Sequence, residues 1–471
     1  MILQPSQLPA APIPEILEQA GLGRVGFDQR LVAALIGRPR EAVPALVAYG
    51  ANPPENSRLE LDEDILNLLA HLPGPDSLKY VVKLLREGHT EIPESMLRIT
   101  KAAGPAAVDA LVEIYRELEE DSSSEVAFLM AGIGIRDSRI LKIILERLDF
   151  DMEDGAMLLG LYGDPAGIPP LDKLATELGK NREIDFALEQ LRNKPEEIID
   201  PVQDCLEIYP DTLGPEFEVL NDDEIVEFAT QHEDEATRLE ALDVLEDLEL
   251  HPSAAQPLLA LASSSASIPV RAAAFRALAR LNQIEEVREL GESMLNDKSQ
   301  PLAIRASSLI TLLPESIEPQ ALRDAVDEFL MNPESRADAV HAMWRSRETS
   351  YTTRFSSFLD DPDLAVRRQA VRGAGVCGDV TSIGKLRELM MDQELRKDAI
   401  FAYSMAVPSD ISASRVRSLY TRIEKEAGGL NRDEAMSVGI ALDMRLEAEG
   451  KEPVFLTGEE EAGEDARNTD L

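Results

Sequence analysis

The apolar residues of this chain fall at helical spacing, and between Arg238 and Arg396 the spacing itself repeats. Six arginines, Arg238, Arg271, Arg305, Arg336, Arg367 and Arg396, stand 33, 34, 31, 31 and 29 residues apart. Three positions after each comes a small residue (Ala241, Ala274, Ser308, Ala339, Ala370, Ala399). Four positions after comes a larger apolar one (Leu242, Phe275, Leu309, Val340, Val371, Ile400). Offsets of three and four share one helix face, so every unit turns the same small-then-large seam toward its neighbours. The pattern predicts paired helices stacked in series, with the six arginines as a structural ladder.

The turns between helices carry a second recurrence. In Leu158 to Leu171, LLGLYGDPAGIPPL, Gly163 suits the left-handed residue that ends a helix. Asp164 suits a cap on the next helix's free amides, and Pro165 its first turn. Val371 to Leu386, VRGAGVCGDVTSIGKL, repeats this with Gly378 and Asp379, and weaker versions surround Gly74, Gly104 and Gly134.

At these residues the chain resembles HEAT-repeat proteins, and in particular the short HEAT-like units of the phycobilin-lyase type. The unit Leu359 to Leu389 carries the resemblance best, with an Asp-rich entry, Val-Arg, Ala three residues on, a Gly-Asp turn and a second Leu-spaced helix. The step of about 31 is shorter than the roughly 40 to 47 residues of long HEAT and armadillo units. The resemblance implies an all-α fold, a right-handed α-solenoid of about twelve HEAT-like helix pairs. It also implies that the ladder arginines bridge neighbours by meeting an Asp or a helix-end carbonyl, and that the second helix of each pair lines the concave face.

The expected organisation is a loose leader over 1–14, irregular repeats over 15–210 and an irregular junction over 211–232. Regular repeats follow over 233–426, then a capping helix over 427–450 and an acidic disordered tail over 451–471. Hydrophobic residues make up 44% of the chain but aromatics only 4%, which favours many thin Leu/Ala/Val interfaces over one aromatic-rich core. No apolar run is long enough to span a membrane and no signal segment opens the chain, so a cytoplasmic location is expected. The two cysteines, Cys205 and Cys377, lie in distant units and read as small buried side chains.

Charge changes the picture. With 88 acidic and 47 basic residues the net charge is -41, yet 336–425 holds 15 Lys and Arg against 12 Asp and Glu. In that window Arg354, Lys385, Arg387, Arg415, Arg417 and Arg422 fall on expected second helices, with Trp344, Tyr351, Phe355 and Tyr420 interleaved. Arginine and tyrosine are enriched where interfaces are tightest. The window is therefore the expected partner-binding surface, suited to an acidic peptide. The acidic stretches 59–64, 117–121 and 221–249 would instead steer basic partners.

Catalytic motifs fail on context. Gly21, Gly23 and Gly26 spell GxGxxG after a helix where a dinucleotide site needs a strand. Asp149, Asp151 and Glu153 start like a calcium loop, but Asp154 and Gly160 occupy the positions that need Gly and Glu. The five histidines, His71, His89, His232, His251 and His341, show no metal-binding spacing and read as surface or capping residues. No cofactor and no metal are expected. The sequence reads as a non-catalytic protein-binding scaffold or adaptor. The alternatives are a HEAT-like enzyme or lyase acting on a small ligand, and a nucleic-acid binder through 336–425. The charge of the whole chain opposes the last.

Overall fold

A computed structural model describes residues 2–72, 74–89, 92–118, 123–193, 208–313 and 319–455. Cys205, part of 117–121 and the tail from 456 lie outside the described residues. Among the described residues all regular structure is helical. The chain divides into two compact units, Met1–Asn221 and Asp222–Leu471.

The first unit contains α1 (Ile13–Gly21), α2 (Gln29–Ile36), α3 (Pro39–Ala51), α4 (Asn67–His71), α5 (Pro75–Arg86) and α6 (Glu94–Ala103). It continues with α7 (Pro105–Glu117), α8 (Ser124–Gly132), α9 (Ser138–Phe150), α10 (Met152–Tyr162), α11 (Ile168–Leu178) and α12 (Arg182–Asn193). Helices α4, α6, α8, α10 and α12 pack in succession as one layer, and α3, α5, α7 and α9 as the other. Leu, Ile, Val and Ala side chains fill the space between. The turn glycines do what their sequence context asks. Gly163 takes a φ of 70° at the end of α10, and the Asp164 carboxylate accepts from the Ala166 amide at 2.9 Å. Asp151, from the calcium-like run, caps α10, and Asp154 pairs with Arg147 at 2.6 Å.

Two expectations for this unit need correction. The leader is not loose: Ile2, Leu3 and Leu8 are buried, and Arg38 donates to the Leu8 and Ala11 carbonyls. Three apolar side chains in a short stretch are enough to hold it down. The junction is not uniformly irregular either. Residues 208–220 return to the start of the unit, where the Leu213 amide donates to Asp28 Oδ2 at 3.1 Å and the Glu216 amide to the Gly23 carbonyl at 2.8 Å. A Cβ at Gly26 would sit 2.2 Å from the Leu213 carbonyl oxygen, so this glycine serves a close backbone approach. Residues 222–231 then form a regular helix.

That helix, α13 (Asp222–Gln231), opens the second unit. It is followed by α14 (Glu235–Asp247), α15 (Ala255–Ala262), α16 (Ile268–Leu278), α17 (Glu285–Asn296), α18 (Leu302–Thr311) and α19 (Pro319–Leu330). Then come α20 (Pro333–Arg345), α21 (Leu364–Val376), α22 (Ile383–Leu389), α23 (Arg396–Ala406), α24 (Ala413–Glu426) and α25 (Arg432–Ala448). Helices α14, α16, α18, α20, α21 and α23 begin near the six anchors, and with α25 they pack side by side as a continuous layer. All twelve seam residues are fully buried within it. The partners α13, α15, α17, α19, α22 and α24 form the second layer. Between α20 and α21 that layer thins to 3-10 turns at Thr349–Tyr351 and Phe355–Ser357.

Helix α25 ends the first layer, with Asn431 and Glu434 forming a reciprocal capping box at its start. The chain just beyond it is docked as far as it is described. The Val454 and Phe455 amides donate to the Asp443 carboxylate at 2.7 and 2.9 Å, and Phe455 stacks on Tyr420.

Candidate functional site: the inner face of the second unit

The ladder arginines lie on the face of the first layer that meets the second, and each reaches back to the end of the element before its own helix. Arg238, Arg271 and Arg305 donate through Nε to the carbonyls of Ala229, Ala262 and Leu295 at 3.1, 2.9 and 3.0 Å. Arg336 reaches Leu330 at 3.2 Å, Arg367 reaches Asp361 at 2.9 Å and Arg396 reaches Met390 at 2.8 Å. These are helix-end carbonyls, or for Arg367 a carbonyl of the turn before its own helix, which would otherwise lack a partner. A guanidinium there also meets the negative end of the helix dipole. Carboxylates join in places: Arg305 with Glu328 at 2.7 Å, Arg336 with Asp361 at 3.2 Å and Arg396 with Glu434 at 2.6 Å.

The opposite face of the same layer carries a different chemistry. Arg276 on α16 bridges Glu246 on α14 at 3.0 Å and Asp338 on α20 at 3.2 Å. Asp338 also accepts from the Ser307 hydroxyl on α18 at 2.9 Å. Arg372 on α21 pairs with Asp398 on α23 at 3.1 Å and with Asp247 on α14 at 3.5 Å. His341 Nδ1 on α20 stands 3.4 Å from Glu246, and its ring stacks on Trp344 at 4.7 Å. Side chains of α14 thus meet those of α20 and α21, the fourth and fifth helices of the layer. Contact between such distant members requires this face to curve inward.

The expectation that second helices line the concave side is therefore corrected for this unit, and small residues are the reason. A Cβ at Gly375 on α21 would lie 2.6 Å from Ala402 Cα on α23. With Ala, Gly and Ser along the seam, first-layer helices approach more closely than second-layer helices do, and the stack bends toward them.

Burial sets the protonation states on this inner face. Burial pushes the Asp338 carboxyl up, against the pull of Arg276 and Ser307. Asp247 is likewise raised by burial, opposed by Arg372. His341 is held well below 6.5, first by burial and then by Arg345, Arg276, Arg372 and Arg280, so its ring is neutral at physiological pH. The sequence reading, which placed the histidines at surfaces or caps, is corrected here: His341 is 1% exposed, because Trp344 and the surrounding helices cover it. His232 is also buried, whereas His251 caps the Ser253 amide.

The expected partner surface over 336–425 does not come together as a set. Tyr351 and Phe355 are 2% and 0% exposed, and Phe355 fills the space left by Gly373, so both are core rather than contact residues. Trp344 is half-buried and donates to Gln369 at 3.0 Å. Arg354 lies over the Tyr351 ring and pairs with Asp327 at 3.5 Å. Lys385 pairs with Asp360 at 2.7 Å, and Arg415 with Asp410 at 2.5 Å. Arg387 and Arg422 converge on Glu426 at 3.4 and 3.1 Å and on the Tyr403 hydroxyl at 3.1 and 3.2 Å. Arg417 is exposed and Tyr420 packs on Phe455. Most of these cations already have carboxylate partners.

The inner-face residues Glu246, Arg276, Arg280, Asp338, Arg345 and Arg372 escaped the sequence reading, although a signal existed. Arg276, His341 and Arg372 each stand five positions after an anchor, and Asp247, Arg280 and Arg345 nine after. Charges at a fixed offset inside otherwise apolar helices mark a second face.

No family model matches the chain and no curated protein matches it. Solved structures with some likeness include an engineered protein, 14% identical, covering 85% of this chain and 100% of that one at a TM-score of 0.20. A Kap95:Nup1 complex is 14% identical, covering 87% of this chain and 51% of that one at 0.27. A third is a study of tubulin recruitment and assembly by microtubule polymerases with TOG domain arrays. It is 11% identical, covering 79% of this chain and 97% of that one at 0.19. Scores this low transfer neither fold nor function, and the description of a helical stack rests on the packing of this chain's own helices.

Proposed function

We propose that the chain is a HEAT-like protein-binding scaffold whose working surface is the inner face of the second unit. The observation that carries this reading is the contrast between the two faces of the first layer. The ladder and seam keep one composition from unit to unit. The positions two and five after the anchors vary: Glu240, Ala273, Ser307, Asp338, Gln369 and Asp398 in one row, and Asp243, Arg276, Ile310, His341, Arg372 and Phe401 in the other. Ala273, Ser307, Ile310, Asp338 and His341 of these rows are buried, so what the constant frame presents to another chain is its charged rim, Glu240, Asp243, Arg276, Arg372 and Asp398, where placed charges set register and selectivity. The net charge of -41 over the whole chain favours the approach of basic partners.

Site-specific photo-crosslinking tests the reading. A photoreactive residue would be placed at Val376, an exposed position at the end of α21, and in a second variant at Met331, an exposed position after α19 in the other layer. A discrete protein adduct formed from Val376 and not from Met331 is the expected result. Adducts from Met331 alone would move the surface to the other layer. Native mass spectra showing a bound small molecule, with no protein adduct from either position, would overturn the scaffold in favour of a small-ligand activity.

A further inference from the structure

Three arginines at one edge of the inner face are not neutralised. Arg280, just beyond α16, donates through Nε to the Glu246 carbonyl at 2.8 Å. Arg345, at the end of α20, donates through Nη2 to the carbonyl of Ala279, the residue next to Arg280, at 2.6 Å. Arg347 follows two residues later. No carboxylate of a described residue lies within 4.0 Å of any of the three guanidiniums. The nearby Glu246 carboxylate is committed to Arg276 at 3.0 Å. Arg280 and Arg347 are exposed and Arg345 is half-buried, with a buried Nε that has no acceptor. Two of the three guanidiniums are thus open to solvent, and the third keeps a buried donor without an acceptor.

Two further observations show that the arrangement is held against a cost. Burial, the Arg280 charge and the Arg347 charge together bring Arg345 down to about 10, with only Glu246 opposing. Arg347 sits at a φ of 55°, the left-handed region, eleven residues after its anchor. The next unit has Gly378, at 63°, in the corresponding place. A side chain there is strained where glycine is not.

We propose that Arg280, Arg345 and Arg347 form a binding site for a phosphoryl group. The unpaired guanidiniums and the free Arg345 Nε favour an anion with several acceptor oxygens. Each of the two helix ends capped by Arg280 and Arg345 carries about half a negative charge. Three guanidiniums less those two halves leave a local positive excess, which Glu246 and Asp247 of the neighbouring ion pairs reduce from beyond ion-pair distance. A phosphate monoester brings roughly two negative charges and three acceptor oxygens to planar donors that suit it, more than one carboxylate offers. The group comes either on a phosphorylated side chain of a partner or on a free small molecule. The site rests on the inner face being the working surface, yet binding at it is measurable with no partner present.

The test uses the full chain at fixed ionic strength. Inorganic phosphate, a phosphoserine peptide and the same peptide with Glu in that position are titrated by calorimetry, and melting is followed with and without phosphate. Saturable binding of inorganic phosphate is expected, with the phosphoserine peptide at least tenfold tighter than the Glu peptide. A phosphoserine peptide tighter than inorganic phosphate identifies a protein-borne group, and equal affinity identifies a free one. Arg345→Gln should lose at least tenfold in affinity. Arg347→Gly should weaken phosphate binding several-fold while raising the phosphate-free melting temperature by about 2 °C, because glycine relieves the strain. Absence of saturable binding, equal affinity for the Glu peptide, or unchanged affinity in Arg347→Gly would each overturn the proposal. A crosslinked partner without phosphate binding rejects this site and leaves the scaffold standing, and phosphate binding with no crosslinked partner does the reverse.

Discussion

His341 shows what the inner face demands of a single residue. Its imidazole is enclosed among Glu246 from α14, Arg276 from α16 and Arg280 just beyond it, its own-helix neighbour Arg345 and Arg372 from α21. In the folded chain it stays neutral well below 6.5, whereas in the unfolded chain it takes up a proton near that value. The unfolded state therefore binds more protons as the pH falls through 6.5, and this residue's contribution to stability is lost in that direction. Asp338 and Asp247, raised by burial, bind protons sooner when folded and act with the opposite sign at lower pH. Chemical denaturation of wild type and His341→Gln between pH 7 and 5.5 isolates the histidine. The wild-type curve should fall more steeply, by at most about 1.4 kcal/mol per pH unit for one proton. A parallel pair of curves would remove His341 from this account. The sequence could not show this role, since a histidine five positions after an anchor looks like any helical histidine until α14 and α20 are known to converge.

At the scale of the element, the helices and their stops were legible because they rest on local chemistry: apolar spacing, Gly163 and Gly378 at helix ends, Asp164 and Asp379 as caps. The direction of bending was not, since it depends on how closely the two layers pack, a sum over many Ala and Gly contacts such as Gly375 on Ala402. Nor was the return of 208–220 onto α1 and α2, which Gly23 and Gly26 permit without announcing. The ladder arginines, alike in sequence, differ in what they hold. The Arg238 guanidinium bonds the Ala229 carbonyl, whereas that of Arg396 serves Met390, Ala427 and Gly429 and pairs with buried Glu434. Its guanidinium bond is the main reason the Glu434 carboxyl is held low. Arg238→Gln should cost about 0.5 to 1 kcal/mol. Arg396→Gln, which leaves the buried Glu434 carboxylate only the Asn431 amide of its capping box, should cost about 2 to 4 kcal/mol in urea unfolding at neutral pH. The Arg396→Gln deficit should shrink as the pH drops below the ordinary Glu range and wild type too loses the Arg396–Glu434 pair. Equal costs for the two variants would contradict the assigned partners.

At the scale of the whole molecule, two units with their own packed interiors behave as separate folding bodies unless something else couples them. Ala370→Asp places a carboxylate in the fully buried seam between α20, α21 and α23, and several kcal/mol of destabilisation is expected. Hydrogen exchange should report lost protection over much of 222–455 with 2–193 unchanged. Uniform loss across both units would show that they unfold as one. The ladder also bears on how such a chain is made. Five of the six second-layer helices, α24 excepted, are terminated by an arginine that lies six to ten residues later in the sequence. On a ribosome adding roughly 5 to 20 residues per second, a finished helix waits about a second for the side chain that closes it. Until then its last carbonyls stay open to water or to a wrong partner. Assembly therefore runs from the N-terminal end toward the C-terminal end, and the newest helix is always the least settled.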